Sequence, residues 1–572
     1  MAVDVHSLNR RYQSLRDERS AWDSAYADLS RHFSPTKFRF DGSADAYTKP
    51  MVLNDKIVDS TGILDMRTLA AGMQGGMTSP ARPWFKLALQ DEDVMAAPDV
   101  GKWLDDVTRR MQGVLHRSNF YNAVHAIYSD LGTFGTGLLL ETADWNGINF
   151  FVVPAGDYVI DVNDNNIVDT FFRRISMTAR QIIQKFGEDK CPSIVKTAAA
   201  PKTGTASTTR FDVIHAVYPR KDRTYGKAGG KHMPFASVYW MLAGTDSQGA
   251  PHVLSESGFE EFPAFAPRWD VSGSQVYGRS PAMDVLPDCR MLQGMYTTLL
   301  KTLHKNADPP MSVMASLKSV GLDLRPGGEN FIETFDGRPP VAAQPIQQPN
   351  AQSIQYTQLA IQEVQQKVHD GLYADLFKML ISNDRRQITA TEIEAREQEK
   401  MILIGPVVER LQKELFEPLI ERTFNLMLRY DFVPEPPEAI AGEPLRVEFV
   451  SVLAQAQRLV STSGIDQQAA FMMSMAQAKP DVLDYLDAEY TVESYAEAVG
   501  APKGMIRSRE EVAAIQQARE EAHQQQMQQQ QALAAAQQAQ NLTRAAKNLG
   551  QATVGPDGQT ALEAIVGGMG SL

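Results

Sequence analysis

The chain has 572 residues, 43% hydrophobic and 22% charged, with a formal net charge of −13. That length suits roughly three or four domains and a sizeable core. The acidic balance argues against a protein that grips nucleic acid over its whole surface by counterion release, and leaves room for a local basic patch or loose contact with DNA.

Two cysteines far apart, Cys191 and Cys289, indicate neither a disulfide framework nor a thiolate metal site. No apolar leader is present, and no run of about 18 apolar residues marks a membrane span. Leu8, Tyr12, Leu15, Trp22, Tyr26 and Leu29 recur at helical spacing and predict an amphipathic helix over 7–33. A Pro/Gly/Asp-rich loop leads to a second helix at 59–77, with Asp59 or Ser60 as its N-cap. An extended segment at 79–89 and helices at 98–116 and 119–134 follow. The period then changes to alternation. GLLLE (137–141), INFFVVP (148–154), DYVIDV (157–162) and IVDTFFRRI (167–175) predict the strands of one small antiparallel sheet. FDVIHAVYP (211–219) and FASVYWMLA (235–243) add strands, with a Gly/Thr/Ser/Ala-rich loop at 198–209.

The segment 281–306 carries apolar residues at 286, 292, 295, 296, 299, 300 and 303, which predicts a long helix stopped by Pro309 and Pro310. Residues 311–348 read as extended and hairpin-like, with Gly327 and Gly328 at the turn. A second long helix begins near Asn350 and puts Ile354, Ile361, Val364, Val368, Leu372, Leu376 and Leu380 on one stripe. As a single helix it spans about 45 Å. A third helical stretch, 390–430, holds Pro406 and Pro418 inside its pattern and should kink. LRVEFVSVL (445–453) is one more strand. The tail then turns Gln/Ala-rich, as in HQQQMQQQQALAAAQQAQ (523–540). Such a segment favours helix but has too few large apolar residues to pack alone, so it is disordered or bundled with copies of itself.

Motifs for chemistry are few. GSQVYGRS (273–280) has the spacing of a phosphate-binding loop, but Arg279 stands where a compact lysine charge is needed. The ten histidines form no close ligand pair, and no nucleophile–base constellation is visible. No enzyme activity, metal or cofactor is expected. In NDRRQITATEIEAREQE (383–399), Thr389 and Glu392 fit a capping box, and Glu392 with Arg396 makes a favourable i,i+4 pair. Capping leaves Arg385 and Arg386 unexplained. They are an exposed pair, an intersubunit ion pair or a transient phosphate contact.

Taken in order, RPWF (82–85), FP…RW (262–269), YGRSP (277–281), DLRPGG (323–328), TATEIEAR (389–396) and IGPVVERLQKELFEPLIERTFNLM (404–427) resemble the head-to-tail connecting, or portal, proteins of short-tailed bacteriophages. Within YGRSP the matching positions are Tyr277, Gly278, Arg279 and Pro281. The resemblance implies a mostly helical α+β fold assembled as a ring, typically of twelve copies, in the virion at one capsid vertex. It implies assembly in the host cytoplasm, and double-stranded DNA passing through without sequence specificity. The major capsid protein, a transient terminase large subunit and a tail adaptor or head-completion protein are the implied partners, with no membrane. It divides the chain into a wing (1–280), stem helices (281–308 and 349–381), a clip (309–348) and a channel loop (382–390). A kinked wing helix and return strand (391–450), a crown (451–504), a helical barrel (505–549) and a flexible tail (550–572) complete it. Arg385, Arg386, Lys301, His304 and Lys305 become candidates for facing DNA. The last three equally suit a helix C-terminus, whose dipole favours cations. An internal scaffolding or tail structural protein remains the alternative, ahead of a packaging ATPase or nuclease.

Overall fold

A computed structural model describes residues 4–37, 40, 57–91, 97–144, 147–199, 209–223, 226, 229–245, 251–313, 323, 343–345, 351–381, 403–440, 445–450, 471–475, 479, 491 and 509–551. The chain divides into two compact units, Met1–Ser463 and Gly464–Leu572.

The first unit is mixed helix and sheet. Helix α1 (Val5–Phe33) opens on Asp4, whose carboxylate accepts from the Ser7 amide at 3.2 Å. It serves two cores. Its early apolar positions, Val5, Leu8, Tyr12 and Leu15, cover a β-sheet, while Tyr26, Leu29 and Phe33 enter the main helical core. That core is built on α2 (Thr61–Met77), β1 (Phe85–Leu89), α3 (Pro98–Arg117) and α4 (Phe120–Phe134). Ser60 precedes α2 without a capping bond from its side chain; Asp59 supplies it, accepting from the Thr61 amide and hydroxyl at 3.2 and 2.9 Å.

The four strands expected to form one sheet are divided between two. β2 (Leu139–Asp144) pairs with β3 (Gly147–Val152) and with the short β9 (Ala264–Phe265). β4 (Tyr158–Val162) and β5 (Val168–Thr178) continue into β6 (Arg210–Pro219), β7 (Phe235–Thr245) and β8 (Pro251–Phe259), a five-stranded antiparallel sheet in chain order. The division falls at Pro154, which has no N–H to give a ladder, and at the 3-10 turn Ala155–Asp157 behind it. Alternation gives the larger sheet two buried faces. Ile214 and Trp240 meet α1, whereas Val213 and Met241 meet α5 (Ala179–Phe186) and α6 (Ser193–Ala199). Those two short helices had no counterpart among the predicted elements.

Helix α7 (Pro281–Ala307) leaves the core and β10 (Met311–Val313) pairs antiparallel with β11 (Ala343–Pro345). Helix α8 (Ala351–Gly371) returns, and α9 (Ala374–Ile381) follows. The single long helix expected here is therefore two. Tyr373 sits at φ +55°, a left-handed conformation that ends one helix and re-aims the next.

The last long helix keeps its expected irregularity in a specific form. Helical residues 403–411 run into a π turn, Gln412–Phe416, and then α10 (Glu417–Arg429). Pro418 has no N–H for the Glu414 carbonyl and its ring would press on it. The chain widens instead, and the Glu417 amide donates to Gln412 O, five residues back. The turned-out Glu414 carboxylate holds Arg268, at 2.7 Å from Nη2 and 3.3 Å from Nε, and accepts from the Arg268 amide at 2.9 Å. Strand β12 (Leu445–Phe449) pairs antiparallel with β1, Phe85 opposite Phe449, and closes the unit.

In the second unit the Gln/Ala-rich segment is a helix, α11 (Arg509–Gln551), of 43 residues.

Candidate nucleic-acid interface

The hairpin of α7 and α8 carries the described basic candidates. Its start is firmly set. Ser280 Oγ accepts from the Met283 amide at 3.2 Å and donates to Thr133 O at 2.9 Å, and Pro281 takes the first helical position. Leu292 and Leu299 of α7, with Ile361, Val364 and Val368 of α8, are buried in the shared core. Gln365 donates to Tyr296 Oη at 3.1 Å, and a Cβ on Gly371 would lie 2.3 Å from Val285 Cγ1. Higher numbers on α8 thus meet lower numbers on α7, so the helices are antiparallel.

Towards the distal end, the two helices are free of acid up to the exposed Asp308 that caps α7. From Cys289 to Ala307, α7 contains Arg290, Lys301, His304 and Lys305 but no Asp or Glu, and α8 has no charged residue from Ala351 to Gln362. Arg290 is tied to Asp28 at 2.7 Å. Lys301, His304 and Lys305 are exposed on the last turns of α7, without an ion pair among the described residues. The Asp308 amide closes the helix on His304 O at 2.8 Å. Both the helix-terminus role and an outward, anion-facing role are compatible with this placement.

At the inner end of the hairpin the chain is clamped. Asp65 of α2 is buried beneath His369 Nδ1 at 2.5 Å and Lys378 Nζ at 4.0 Å. Burial raises the Asp65 carboxyl, and its contacts with His369 and Lys378 work against that shift. Phe377 of α9 fills the space over Gly72. This clamp was not anticipated from the sequence; its one local signal is Gly371, two residues before the break. Arg385, Arg386, Thr389, Glu392 and Arg396, like the rest of 382–402, lie outside the described residues.

The YGRSP segment is a structural joint. Tyr277 is buried, and its Oη accepts from the Ile160 amide at 3.2 Å. The Gly278 amide donates to Thr136 Oγ1 at 2.8 Å and the Arg279 amide to Asp270 O at 2.7 Å. The Arg279 guanidinium is engaged by Asp284. A phosphate cradle needs backbone amides left free to converge on an anion, and here those of Gly278 and Arg279 are spent on the fold. Tyr277, Tyr26 and Tyr158 also surround the buried Arg19, with ring centroids 5.3, 5.4 and 5.0 Å from its Cζ. The same guanidinium donates to the Ala155 and Tyr158 carbonyls. Cation–π attraction and carbonyl acceptors offset the cost of burying this charge.

The helix after the π turn is locked to β2 by a second buried charge group. Glu141 is fully buried, 3.5 Å from Arg422 Nε, and accepts from Thr423 Oγ1 at 2.9 Å. Burial pushes its carboxyl up to about 8 despite the guanidinium. Among the described residues no His/Cys/Asp/Glu group is arranged to hold a metal ion, and no helix is long and apolar enough to cross a membrane.

These features describe a scaffold with exposed basic side chains at one extremity. Residues 5–506 match the model of the bacteriophage head to tail connecting protein family. The chain is 36% identical to the portal protein of Salmonella phage epsilon15 over 520 residues, covering 90% of this chain and 91% of that one. It is 35% identical to the probable portal protein of Bordetella phage BPP-1 over 513 residues, 90% of each. With its α–β helical body, its projecting helix hairpin and this near end-to-end similarity, the chain belongs to the bacteriophage head to tail connecting protein family.

Proposed function

We propose that the chain assembles into a closed ring of twelve copies at one capsid vertex, through which double-stranded DNA is packaged and later ejected. It is a conduit and docking platform with no catalytic role and no cofactor. The hairpin of α7 and α8 is the stem, the segment around β10 and β11 the clip, 382–390 the channel loop and α11 one stave of a helical barrel. Its partners are further copies of itself, the major capsid protein, a tail adaptor or head-completion protein and, transiently, the terminase large subunit. It is assembled in the host cytoplasm and retained in the virion.

The observation that carries the DNA reading is the acid-poor distal stem, whose helices hold no acid from Cys289 to Ala307 or from Ala351 to Gln362 and end on the single acid Asp308. In a chain of net charge −13, the described cations there are few, exposed and set among Gln, Thr and Ser. Each phosphate neutralised adds a salt-dependent binding term, so a few cations attract a passing duplex without holding it. Arg385 and Arg386, at the start of the segment after α9, are the second proposed contact, with Thr389, Glu392 and Arg396 setting the helix behind them.

Negative-stain images of the purified protein test the assembly: rings with a central hole are expected, and monomers or fibres refute it. Fibres or solid bundles would favour the alternative, a scaffolding or tail structural protein. Packaging and DNA retention by particles carrying R385A/R386A test the contact, which fails if both are unchanged.

A further inference from the structure

The hairpin has two exposed stripes that its own fold leaves uncovered. On α7, Met291, Gly294, Thr298, Lys301 and Lys305 are exposed and separated alternately by three and four residues. On α8 the same spacing links the exposed Gln352, Tyr356, Leu359, Glu363, Gln366 and Asp370. Three-four alternation keeps side chains on one face of a helix and is the spacing by which helices pack at shallow angles. Each stripe lies about half a turn from the residues that join the two helices, at roughly 100° per residue. The stripes therefore occupy opposite sides of the hairpin.

Their shapes match, and their net charges are opposite in sign. Tyr356 is 66% exposed and Leu359 61%, large apolar groups standing in water on a charged helix. Opposite in character, the α7 stripe narrows to Gly294, where an added Cβ would meet nothing within 4 Å, and to Thr298. The Gln365–Tyr296 and Gly371–Val285 contacts put Leu359–Glu363 level with Gly294–Thr298. The α8 stripe carries the acids Glu363 and Asp370 on its inner half and no cation, while the α7 stripe from Met291 outward carries Lys301 and Lys305 on its distal half and no acid, so the two stripes differ in net sign without pairing acid against lysine.

We infer that the α8 stripe of one copy, led by Tyr356 and Leu359, seats in the Gly294–Thr298 notch on α7 of the next copy. The inference rests on the ring reading and deepens it by placing the seam. Because the two faces differ, each copy uses one towards each neighbour. Such a head-to-tail contact closes into a ring when its rotation divides the circle. Lys301 and Lys305 continue the α7 stripe to its distal end, where long side chains leave the seam and keep their ammonium groups in water.

The test is a cysteine pair, Gly294→Cys with Glu363→Cys, in the full chain. Cys191 and Cys289 are buried, and burial with neighbouring Asp59 and Asp288 pushes the Cys289 thiol up to about 12, so neither should react. Mild oxidation is expected to give a ladder of covalent multimers on a non-reducing denaturing gel, while either single variant stays monomeric. Rings in stained images without a ladder place the seam elsewhere and leave the ring reading standing. Absence of rings from the unmodified protein overturns both. A second variant, Leu359→Lys, is expected to lower the fraction of rings at least several-fold with an unchanged unfolding midpoint. Unchanged rings refute the seating of Leu359.

Discussion

Gly72 and Phe377 compete for one volume: a Cβ placed on Gly72 would lie 2.2 Å from Phe377 Cγ. The aromatic ring pins α9 to α2 immediately before the segment that leads to Arg385 and Arg386. Gly72→Ala should destabilise the unit by about 1–3 kcal/mol through overpacking, and Phe377→Ala by about 3–5 kcal/mol through the cavity it leaves. The pair should be non-additive, since a smaller residue at 377 makes room for the new methyl. Urea unfolding of the two single variants and the double variant measures the coupling.

Glu141 makes stability depend on pH in an unusual direction. Its folded carboxyl is raised to about 8, so between the ordinary glutamate range and that value the folded state binds more protons than the unfolded one. The stabilisation is complete below the unfolded value and is lost as pH rises towards the folded one. The limit is about 1.4 kcal/mol per pH unit. Glu141→Gln, which can still accept from Thr423, should flatten this slope. Unfolding midpoints of both proteins at pH 5 and 8 decide it: equal slopes would show that the Arg422 guanidinium keeps Glu141 charged throughout.

Arg268 and Glu414 fasten the π turn to the strand region. Arg268 is only 3% exposed and also reaches the side chain and carbonyl oxygens of Asn166. Glu414→Ala strands a buried guanidinium and should cost about 3–5 kcal/mol, whereas replacing both partners by apolar residues of similar size should cost less. A chemical denaturation series on the single and double variants is the check.

On the distal stem, K301A/K305A should weaken DNA binding by the assembled protein and make it less sensitive to salt. The slope of log affinity against log salt becomes shallower by about 0.9 for each phosphate that the protein no longer neutralises. Titrations of random-sequence duplex at several salt concentrations provide the measurement. An unchanged slope assigns these lysines to the helix terminus alone.

The helical elements were legible because their stripes are long: Leu8, Tyr12, Leu15, Tyr26 and Leu29 of α1 are all buried as their spacing demands. The hairpin of α7 and α8 was legible for the same reason, reinforced by Pro309 and Pro310. The break at Tyr373 was hidden, because its neighbours Leu372 and Leu376 continue the apolar stripe across it and a tyrosine gives no sign of positive φ. Alternation revealed the early strands but not their partners. That β2 joins β9, more than a hundred residues later, depends on pairing that no local pattern encodes. Buried polar groups such as Arg19, Asp65 and Glu141 read locally as ordinary surface charges. Only the fold supplies the rings, carbonyls and cations that let them be interior.

Helix α11 has almost no buried side chains among its described residues, and at 1.5 Å per residue its 43 residues extend about 65 Å. Its order in a single chain then comes from local propensity, which melts gradually, whereas the packed unit Met1–Ser463 should melt cooperatively at higher temperature. Heating an unassembled chain should therefore show a sloping loss of helical signal before the main transition. In an assembly that supplies neighbours to this helix the slope should sharpen into a step. The shape of the melting curve, more than its midpoint, would then report whether copies have come together.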